Sequence, residues 1–544
     1  MKLNSIEKIK QKNLLIPYIN NLEAIDLNNL TEEDRFYLKA IGIYNFKVTP
    51  ESFMLRIRIT AGDISINELE MILQLATKYK GEIILTSRAQ LEIHGISVDG
   101  ILHIYNDIKN STLNSYQTLI DNVRNVVTDP LDKISLSNKI EATSLARQIE
   151  SVFLNKEEYL STLPRKFNIA ISGNSSNITS FFNNDLYFAL AKKEDTYGFN
   201  IYLGGKNNQI TISADIFIQK EQVKEFTQAT LKAYNKYGSR ESRNKTRLFN
   251  LIEEKGIVKV KDYIQEFFSQ DLDKEGKLQI TKEIFEEFIP TKNDTYCFRY
   301  KTNFGKITKE EIKNILSFVQ EQNLHIRLGV DQNIYLSGLK DKVTPFSNEQ
   351  GSSSILSCAG EKLCFFSIFD TKEKSKLLDI KKLELYNITL GYSGCLKGCS
   401  RHRFTDIGLV SIRTNTYGKT EQAVRFFLGA ESSDGKSVNR LVFWAVPVRV
   451  LNELIDIVIE EFANSGFRYF EDFSKNILNQ YDESFLSLWF LSKILTKKKI
   501  YLKKDLDKAK LNSLFNDPKL AQILALEEES LVKNFLKIVW NQEN

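Results

Sequence analysis

From Leu55 to Ile96 the chain changes its hydrophobic period several times. L-R-I-R-I alternates apolar and charged residues, the period of a half-buried strand. A turn containing Gly62 follows, and then Leu69, Ile72, Leu73 and Ala76 recur at helical spacing. I-I-L-T and L-E-I-H-G-I then read as two further strands joined by a short turn. The same succession returns from Phe298 to Leu339, without a gap, at a constant offset of 243. Arg56 falls on Arg299, Gly62 on Gly305, Glu68 on Glu311, Ile72 and Leu73 on Ile315 and Leu316, and Gly95 on Gly338. Each copy is predicted to be a split β-α-β unit, and the two copies are expected to share a sheet.

A fainter echo follows each copy. Asp185-Leu186-Tyr187-Phe188, Thr196-Tyr197-Gly198 and Tyr202-Leu203-Gly204 recur as Asp406-Ile407-Gly408-Leu409, Thr416-Tyr417-Gly418 and Phe427-Leu428-Gly429. The chain therefore reads as a duplicated two-domain unit, A-B-A′-B′, of α+β class. The period is far too long for a solenoid. Boundaries are expected at 1–46 (a helical segment), 47–112 (A), 113–285 (B), 286–346 (A′), 347–470 (B′) and 471–544 (a Leu- and Lys-rich helical extension).

At 544 residues the chain is long enough for several cores. A hydrophobic content of 42% and a charged content of 26% are those of an ordinary globular protein. The net charge of +5 is too small to imply nucleic acid without a local cluster, but it favours an anionic ligand or an acidic partner. The basic N-terminus lacks the apolar core of a signal peptide, and no apolar run reaches membrane-spanning length. With free thiols, this points to the cytoplasm, without membrane or nucleic-acid partners.

Four of the five cysteines form two tight pairs, Cys358-x5-Cys364 and Cys395-x3-Cys399. Grouped thiols in a chain otherwise poor in cysteine suggest a soft-metal site. C-x3-C is compatible with zinc, whereas C-x5-C fits zinc poorly and suits the longer reach of a four-iron cluster. Gly360 and Gly398 permit close backbone approach to a bulky group. Spacing alone favours iron–sulfur and leaves zinc open. Cys297 opens the second repeat on a strand and reads as core.

S-C-A-G-E-K-L-C and G-Y-S-G-C-L-K-G-C-S-R-H-R-F-T-D-I-G-L resemble the cluster-binding segments of the assimilatory nitrite and sulfite reductases. So, in order, do F-M-L-R-I-R-I, L-T-S-R-A-Q-L-E-I-H-G-I, D-N-V-R-N and L-P-R-K-F-N. The resemblance implies ferredoxin-like half-domains at A and A′, a sirohaem- and substrate-binding domain at B, and a [4Fe-4S] and sirohaem-binding domain at B′. It implies that Cys358, Cys364, Cys395 and Cys399 hold the cluster, with Cys399 also the axial ligand of the sirohaem iron. It places Arg58, Arg124 and Lys166 over the substrate, and Arg88, His94 and Arg165 around the macrocycle. Arginine suits both tasks, because it stays charged when buried and binds carboxylates in bidentate fashion.

The anion is read from Asn168, where the sulfite-reducing branch typically has lysine and the nitrite-reducing branch asparagine. One cation fewer suits a monoanion, so nitrite reduction to ammonia is the favoured reading, with sulfite reduction the alternative. Ile84, in place of an arginine found in some sulfite-reducing members, points the same way. A non-catalytic sirohaem protein and a zinc-stabilised binding module rank lower. Several positions depart from the family pattern. Leu396-Lys397 replace Pro-Asn, and Thr60-Ala61-Gly62 replace a Pro-Gly-Gly turn. Glu92 replaces glutamine, a carboxylate tolerable beside an anionic macrocycle only if paired or protonated. Asp331 and Ser337 replace the counterparts of Arg88 and His94, so one active site per chain is expected. No dinucleotide fingerprint or second cysteine set is present, so electrons are expected from a separate protein, ferredoxin in this family, with the chain a monomer. Lys397, Arg401, Arg403 and the Lys497-Lys498-Lys499 run are the candidate docking charges.

Overall fold

The computed structural model describes residues 3–46, 49–347, 351–415 and 420–498. Lys499 and Thr416-Tyr417-Gly418 lie outside the described residues, as does the chain beyond 498. Two compact units divide the chain, Met1–Ser353 and Ser354–Asn544.

The first unit begins with helices Ser5–Gln11, Leu15–Asn20 and Glu32–Ala40. The expected helical segment then ends in a strand, β1 (Ile43–Phe46), which lies antiparallel on β2 (Thr49–Ile57). The half-domain continues with β3 (Asp63–Ile64), helix Ile66–Lys78, β4 (Glu82–Leu85) and β5 (Leu91–Ser97). Ser65 and Glu68 form a capping box that starts the helix, satisfying backbone N–H groups that its first turn leaves free. Leu69, Ile72, Leu75 and Ala76 are its buried face; Leu73 sits at the margin, half-buried.

A mixed sheet comes next: β6 (Val123–Val127), β7 (Phe167–Ser172), β8 (Leu186–Lys193), β9 (Thr196–Leu203), β10 (Ile212–Ile218) and the short β11 (Lys277–Leu278). Phe167, Phe188, Phe199 and Phe226 fill its core with residues of helices Ala142–Phe153 and Val223–Tyr237. The second half-domain contains β12 (Phe288–Thr291), β13 (Thr295–Tyr300), β14 (Lys306–Ile307), helix Lys309–Gln322, β15 (His325–Leu328) and β16 (Ile334–Leu339).

The sharing between half-domains is reciprocal. β14 of the second copy completes the sheet β1-β2-β5-β4, and β3 of the first completes β12-β13-β16-β15. Ile307 pairs with Ile83, and Ile326 with Ile64, the same register seen from each side. Gly62 and Gly305 stand at the two crossings with φ of 69° and 84°. A Cβ on Gly62 would lie 2.1 Å from the Leu328 carbonyl oxygen, and one on Gly305 2.6 Å from that of Leu85. The helices Ile66–Lys78 and Lys309–Gln322 contribute to one continuous core. In the second copy Asp331 accepts hydrogen bonds from Tyr335 (2.7 Å) and Asn333 (2.8 Å). Cys297 is buried there with Leu131, Ile289 and Tyr335, so this thiol is core and the second copy's face is filled by protein.

The second unit carries β17 (Ile355–Ser357), β18 (Leu390–Ser393), β19 (Ile407–Thr414), β20 (Glu421–Leu428) and β21 (Arg440–Pro447). Its strand order and directions repeat those of β6 to β10: two parallel pairings, then two antiparallel. A helix follows the last strand in each copy, Val223–Tyr237 in one and Leu451–Ser465 in the other. The expected C-terminal helices are present as Phe470–Asn476 and Glu483–Lys498, and Ser487 of the second donates to the Val442 carbonyl at 2.6 Å.

Gly62→Ala places a methyl group against a backbone carbonyl at a positive φ. It is expected to cost about 3 kcal/mol or more, read as a lowered midpoint in chemical denaturation, whereas Ala at Gly95, where a Cβ meets nothing within 4 Å, costs only its backbone strain, about 1 kcal/mol.

Candidate active site

The N-terminal ends of β6 and β7 lie side by side, with Val123 opposite Phe167. Both point into the apolar core, so their neighbours Arg124 and Asn168 project to the other face. Arg124 donates to the Thr118 carbonyl and to that of Ile120 (2.9 Å), while its Nε is buried without a partner. Burial holds this guanidinium well below the usual arginine range, and the like charges of Arg56, Arg88 and Arg165 push the same way. Four arginines of the first unit thus gather in one neighbourhood, which favours an anionic occupant.

Arg58 takes a different place from the one expected. β2 ends at Ile57, and the Arg58 guanidinium turns inward to the carbonyls of Arg124 (3.1 Å), Gln117 (2.9 Å) and Val123 (3.0 Å), with Glu150 at 3.6 Å and the Phe153 ring beneath it. It acts as a strut between strands, because carbonyls saturate its terminal nitrogens. Arg56, two positions earlier and by strand alternation expected to point into the same pocket, is the member of the pair whose charge acts on the Arg124 guanidinium. It lies across from Glu92 in the β2–β5 register and binds it. Glu92 also contacts His94 Nε2 at 2.8 Å. Burial alone would raise the Glu92 carboxyl, but Arg56 and His94 hold it down to about 2. The out-of-pattern carboxylate is therefore a paired anion, and His94 faces it.

Arg88 reaches Asn184 Oδ1 at 3.2 and 3.3 Å, and its backbone carbonyl accepts from Asn125 Nδ2 at 2.9 Å. Asn125 also binds the Ile59 carbonyl at 2.7 Å, tying both half-domain loops to β6. Asp185, next to Asn184, accepts the Asn168 backbone N–H at 2.8 Å and a bidentate contact from Arg247. Asp121 is buried at 0% exposure; burial works against its ionised form, but Lys10 (2.8 Å) and Arg243 (2.5 and 2.6 Å) keep its carboxyl low. Arg165 approaches the same carboxylate at 3.8 Å. Lys166 is half-buried just before β7. Asn168 is 1% exposed, and both ends of its amide lack a hydrogen-bond partner among the described residues. A buried amide left open on both sides is costly unless a ligand completes it. Asn125, Asp121, Asp185, Arg243 and Arg247 had no site role from the sequence; only their clustering near Arg124 and Asn168 reveals them.

In the second unit Cys358 follows β17 and Cys395 follows β18, both at strand ends. Cys358 Sγ accepts from the Gly394 N–H at 3.1 Å and contacts Thr371 Oγ1 at 3.3 Å. Burial pushes the Cys364 thiol up, and although the Phe366 N–H opposes this, nearby Cys358 and Cys395 push further up. A cationic iron–sulfur core would relieve that mutual repulsion. Among the described residues no three His, Cys, Asp or Glu side chains form a group that could hold a metal ion. Cys399 is exposed. In the first unit Asp129 and Asn174 stand where Cys358 and Cys395 stand in the repeated sheet, and they bond to each other at 3.1 Å. Of the expected docking charges, Lys397 is exposed over the Phe366 ring, but Arg401 is 6% exposed and Arg403 is committed to the Asn439 carbonyl. Burial takes Arg401 away from a docking surface, while Arg403 is half-buried and held by that carbonyl.

The depressed Glu92 carboxyl contributes stability that is present above its ordinary value near 4.5 and is lost as pH falls toward about 2. Glu92→Gln is expected to be less stable than the parent at pH 7, by about 2–3 kcal/mol, and to converge with it near pH 2, measured by urea denaturation across that window.

Comparison with known proteins agrees with this arrangement. Residues 47–111 match the family model "Nitrite/Sulfite reductase ferredoxin-like half domain", and 120–272 match "Nitrite and sulphite reductase 4Fe-4S domain". The second span holds Arg124, Lys166 and Asn168; the cysteines lie outside both. The ferredoxin–nitrite reductase of Synechococcus elongatus is 26% identical over 85% of this chain and 97% of its own length. The chloroplastic ferredoxin–nitrite reductase of Oryza sativa is 23% identical over 81% of this chain and 80% of its own. The assimilatory ferredoxin-dependent nitrite reductase of Haloferax mediterranei is 22% identical over 79% and 83%. The solved structure of the Mycobacterium tuberculosis NirA protein shares the fold, with a TM-score of 0.78 at 20% identity over 89% of this chain and 97% of that one. Two family domains matching in order, relatives aligned along most of the chain and a shared fold give this chain the characters of the nitrite and sulfite reductases, oxidoreductases with sirohaem and a [4Fe-4S] cluster.

Proposed function

We propose that the chain catalyses the six-electron reduction of nitrite to ammonia, with ferredoxin as electron donor. The observation that carries this reading is Asn168, whose amide is buried and open and whose strand pairs with the one that bears Arg124. The names of the relatives, all ferredoxin-dependent nitrite reductases, support it.

Each unit contributes its own chemistry. The arginines of the first unit, Arg88, Arg124 and Arg165 above all, offer guanidinium groups to the carboxylates of sirohaem. In the second, Cys358, Cys364, Cys395 and Cys399 provide the thiolates of the cluster, with Cys399 the one shared with the haem iron. Sirohaem and the cluster, when bound, would supply the open iron position and the single-electron chemistry that the reduction needs.

Around the anion the protein's part is electrostatic. Arg124 stabilises negative charge developing on substrate oxygens, because burial makes its field stronger than it would be in water. Lys166 is the proton donor, since an ammonium group can give up a proton and a guanidinium cannot. Asn168 donates from Nδ2 to an oxygen of the anion. An amide in place of a second ammonium lowers the positive charge, which suits a monoanion over the partly dianionic sulfite. Arg58 holds β2 to β6 and positions Arg124, whose carbonyl it binds. Lys397, exposed beside two cluster cysteines, is the docking charge that fits a small acidic iron–sulfur donor.

With dye-reduced holoenzyme, nitrite turnover is expected to exceed sulfite turnover, and Asn168→Lys is expected to shift the ratio about tenfold or more toward sulfite. A parent that prefers sulfite would overturn the nitrite reading. Cys399→Ser is expected to lose the coupled haem–cluster absorption; an unchanged visible spectrum contradicts its assignment as the shared thiolate.

A further inference from the structure

Asp185 is fully buried at the start of β8. Its Oδ2 accepts the backbone N–H of Asn168 at 2.8 Å, extending the β7–β8 ladder by one rung through a side chain. Arg247 binds the same carboxylate at 3.0 Å through Nε and 2.7 Å through Nη2. The repeated sheet provides an internal comparison. At an offset of 221, Asp406 stands before β19 and Thr389 occupies the place of Asn168. Asp406 Oδ2 accepts the Thr389 N–H at 2.8 Å and also its hydroxyl at 2.7 Å. In the second copy, then, the aspartate captures both the backbone and the side chain of its neighbour.

In the first copy it captures the backbone alone. The Asn168 amide stays open although a carboxylate lies within its own local network. At Asp185 the fork of Arg247 engages both carboxylate oxygens. A buried amide gains by donating to a carboxylate, and a carboxylate already bound by a backbone N–H and a guanidinium fork has less acceptor capacity to offer it. Resting on the reading of Asn168 as a substrate contact, we propose that Asp185 and Arg247 form a positioning pair: Asp185 sets the Asn168 backbone, and Arg247 occupies the carboxylate so that the amide remains directed at the anion. Neither residue touches substrate; both act through Asn168.

The test is a double-mutant cycle on holoenzyme, with rates expressed per bound sirohaem. Arg247→Met is expected to raise KM for nitrite about tenfold, with kcat within about twofold, and to weaken equilibrium nitrite binding, followed by visible absorption, by the same factor. Arg247→Lys, which keeps the charge but loses the fork, is expected to fall between Met and parent, and it serves if the Met variant does not fold. In an Asn168→Ala background the Arg247→Met effect is expected to shrink below about twofold. An effect of equal size in that background overturns the proposal, as does loss of sirohaem with unchanged KM per haem, which would make Arg247 a cofactor contact. Asn168→Ala with unaltered nitrite KM instead overturns the role of Asn168 itself, so the two failures are distinguishable.

Discussion

The reciprocal exchange of β3 and β14 is the constraint on which the first unit depends. Each half-domain lends a two-residue strand to the other's sheet, and each crossing passes a glycine beneath a backbone carbonyl. Neither sheet is complete alone, and the two helices share one core, so the copies form a single cooperative body. This explains why the internal repeat carries no insertion. Symmetric pairing of Asp63–Ile64 with β15 and of Lys306–Ile307 with β4 requires equal spacing from strand to glycine to helix in both copies. The same body positions the site, because the turn bearing Arg88 lies between β4 and β5, and Glu92 and His94 lie on β5.

Around this frame, buried charges are distributed for geometry more than for stability. Buried ion pairs rarely add net free energy, since desolvation offsets their attraction, but losing one partner is costly. Asp121, Glu92 and Asp185 each receive strong cationic contacts, from Lys10 and Arg243, from Arg56, and from Arg247. Those contacts fix the carboxylates as immobile anchors. Arg124, by contrast, is crowded by Arg56, Arg88 and Arg165 and carries a buried nitrogen without a partner. A fold tolerates such a surplus where an anion completes it.

The larger duplicated sheets show one topology adapted to two chemistries. At the strand ends where the second unit places Cys358 and Cys395, the first places Asp129 and Asn174. Asp129 accepts from the N–H groups of Leu131 and Ile178 and from the Asn174 amide, and burial raises its carboxyl to about 7. A satisfied polar plug in one copy thus stands where the other carries thiols. Conversely, the Asp185–Asn168 contact of the first unit returns as Asp406–Thr389, with a hydroxyl captured where an amide is left open.

By itself the sequence determined the duplicated α+β architecture, because strand and helix periods, capping residues and turn glycines act over a few neighbours and recur at one offset. It also singled out Cys358, Cys364, Cys395 and Cys399, since grouped thiols stand out in a cysteine-poor chain, and Arg88, Arg124, His94, Lys166 and Asn168 through ordered motifs. Only the tertiary structure decided that the charge of Arg56 acts on the Arg124 guanidinium while Arg58 is spent on backbone carbonyls, for alternation puts both on one face until β2 ends and the chain turns. Only it showed that Glu92 is an anion matched by Arg56 and His94, that Arg401 is buried, and that Asp185 holds both the Asn168 N–H and the Arg247 fork. These are matters of which charges lose water together and which carbonyls are near. Such contacts join residues far apart in the chain, and local pattern carries no record of them.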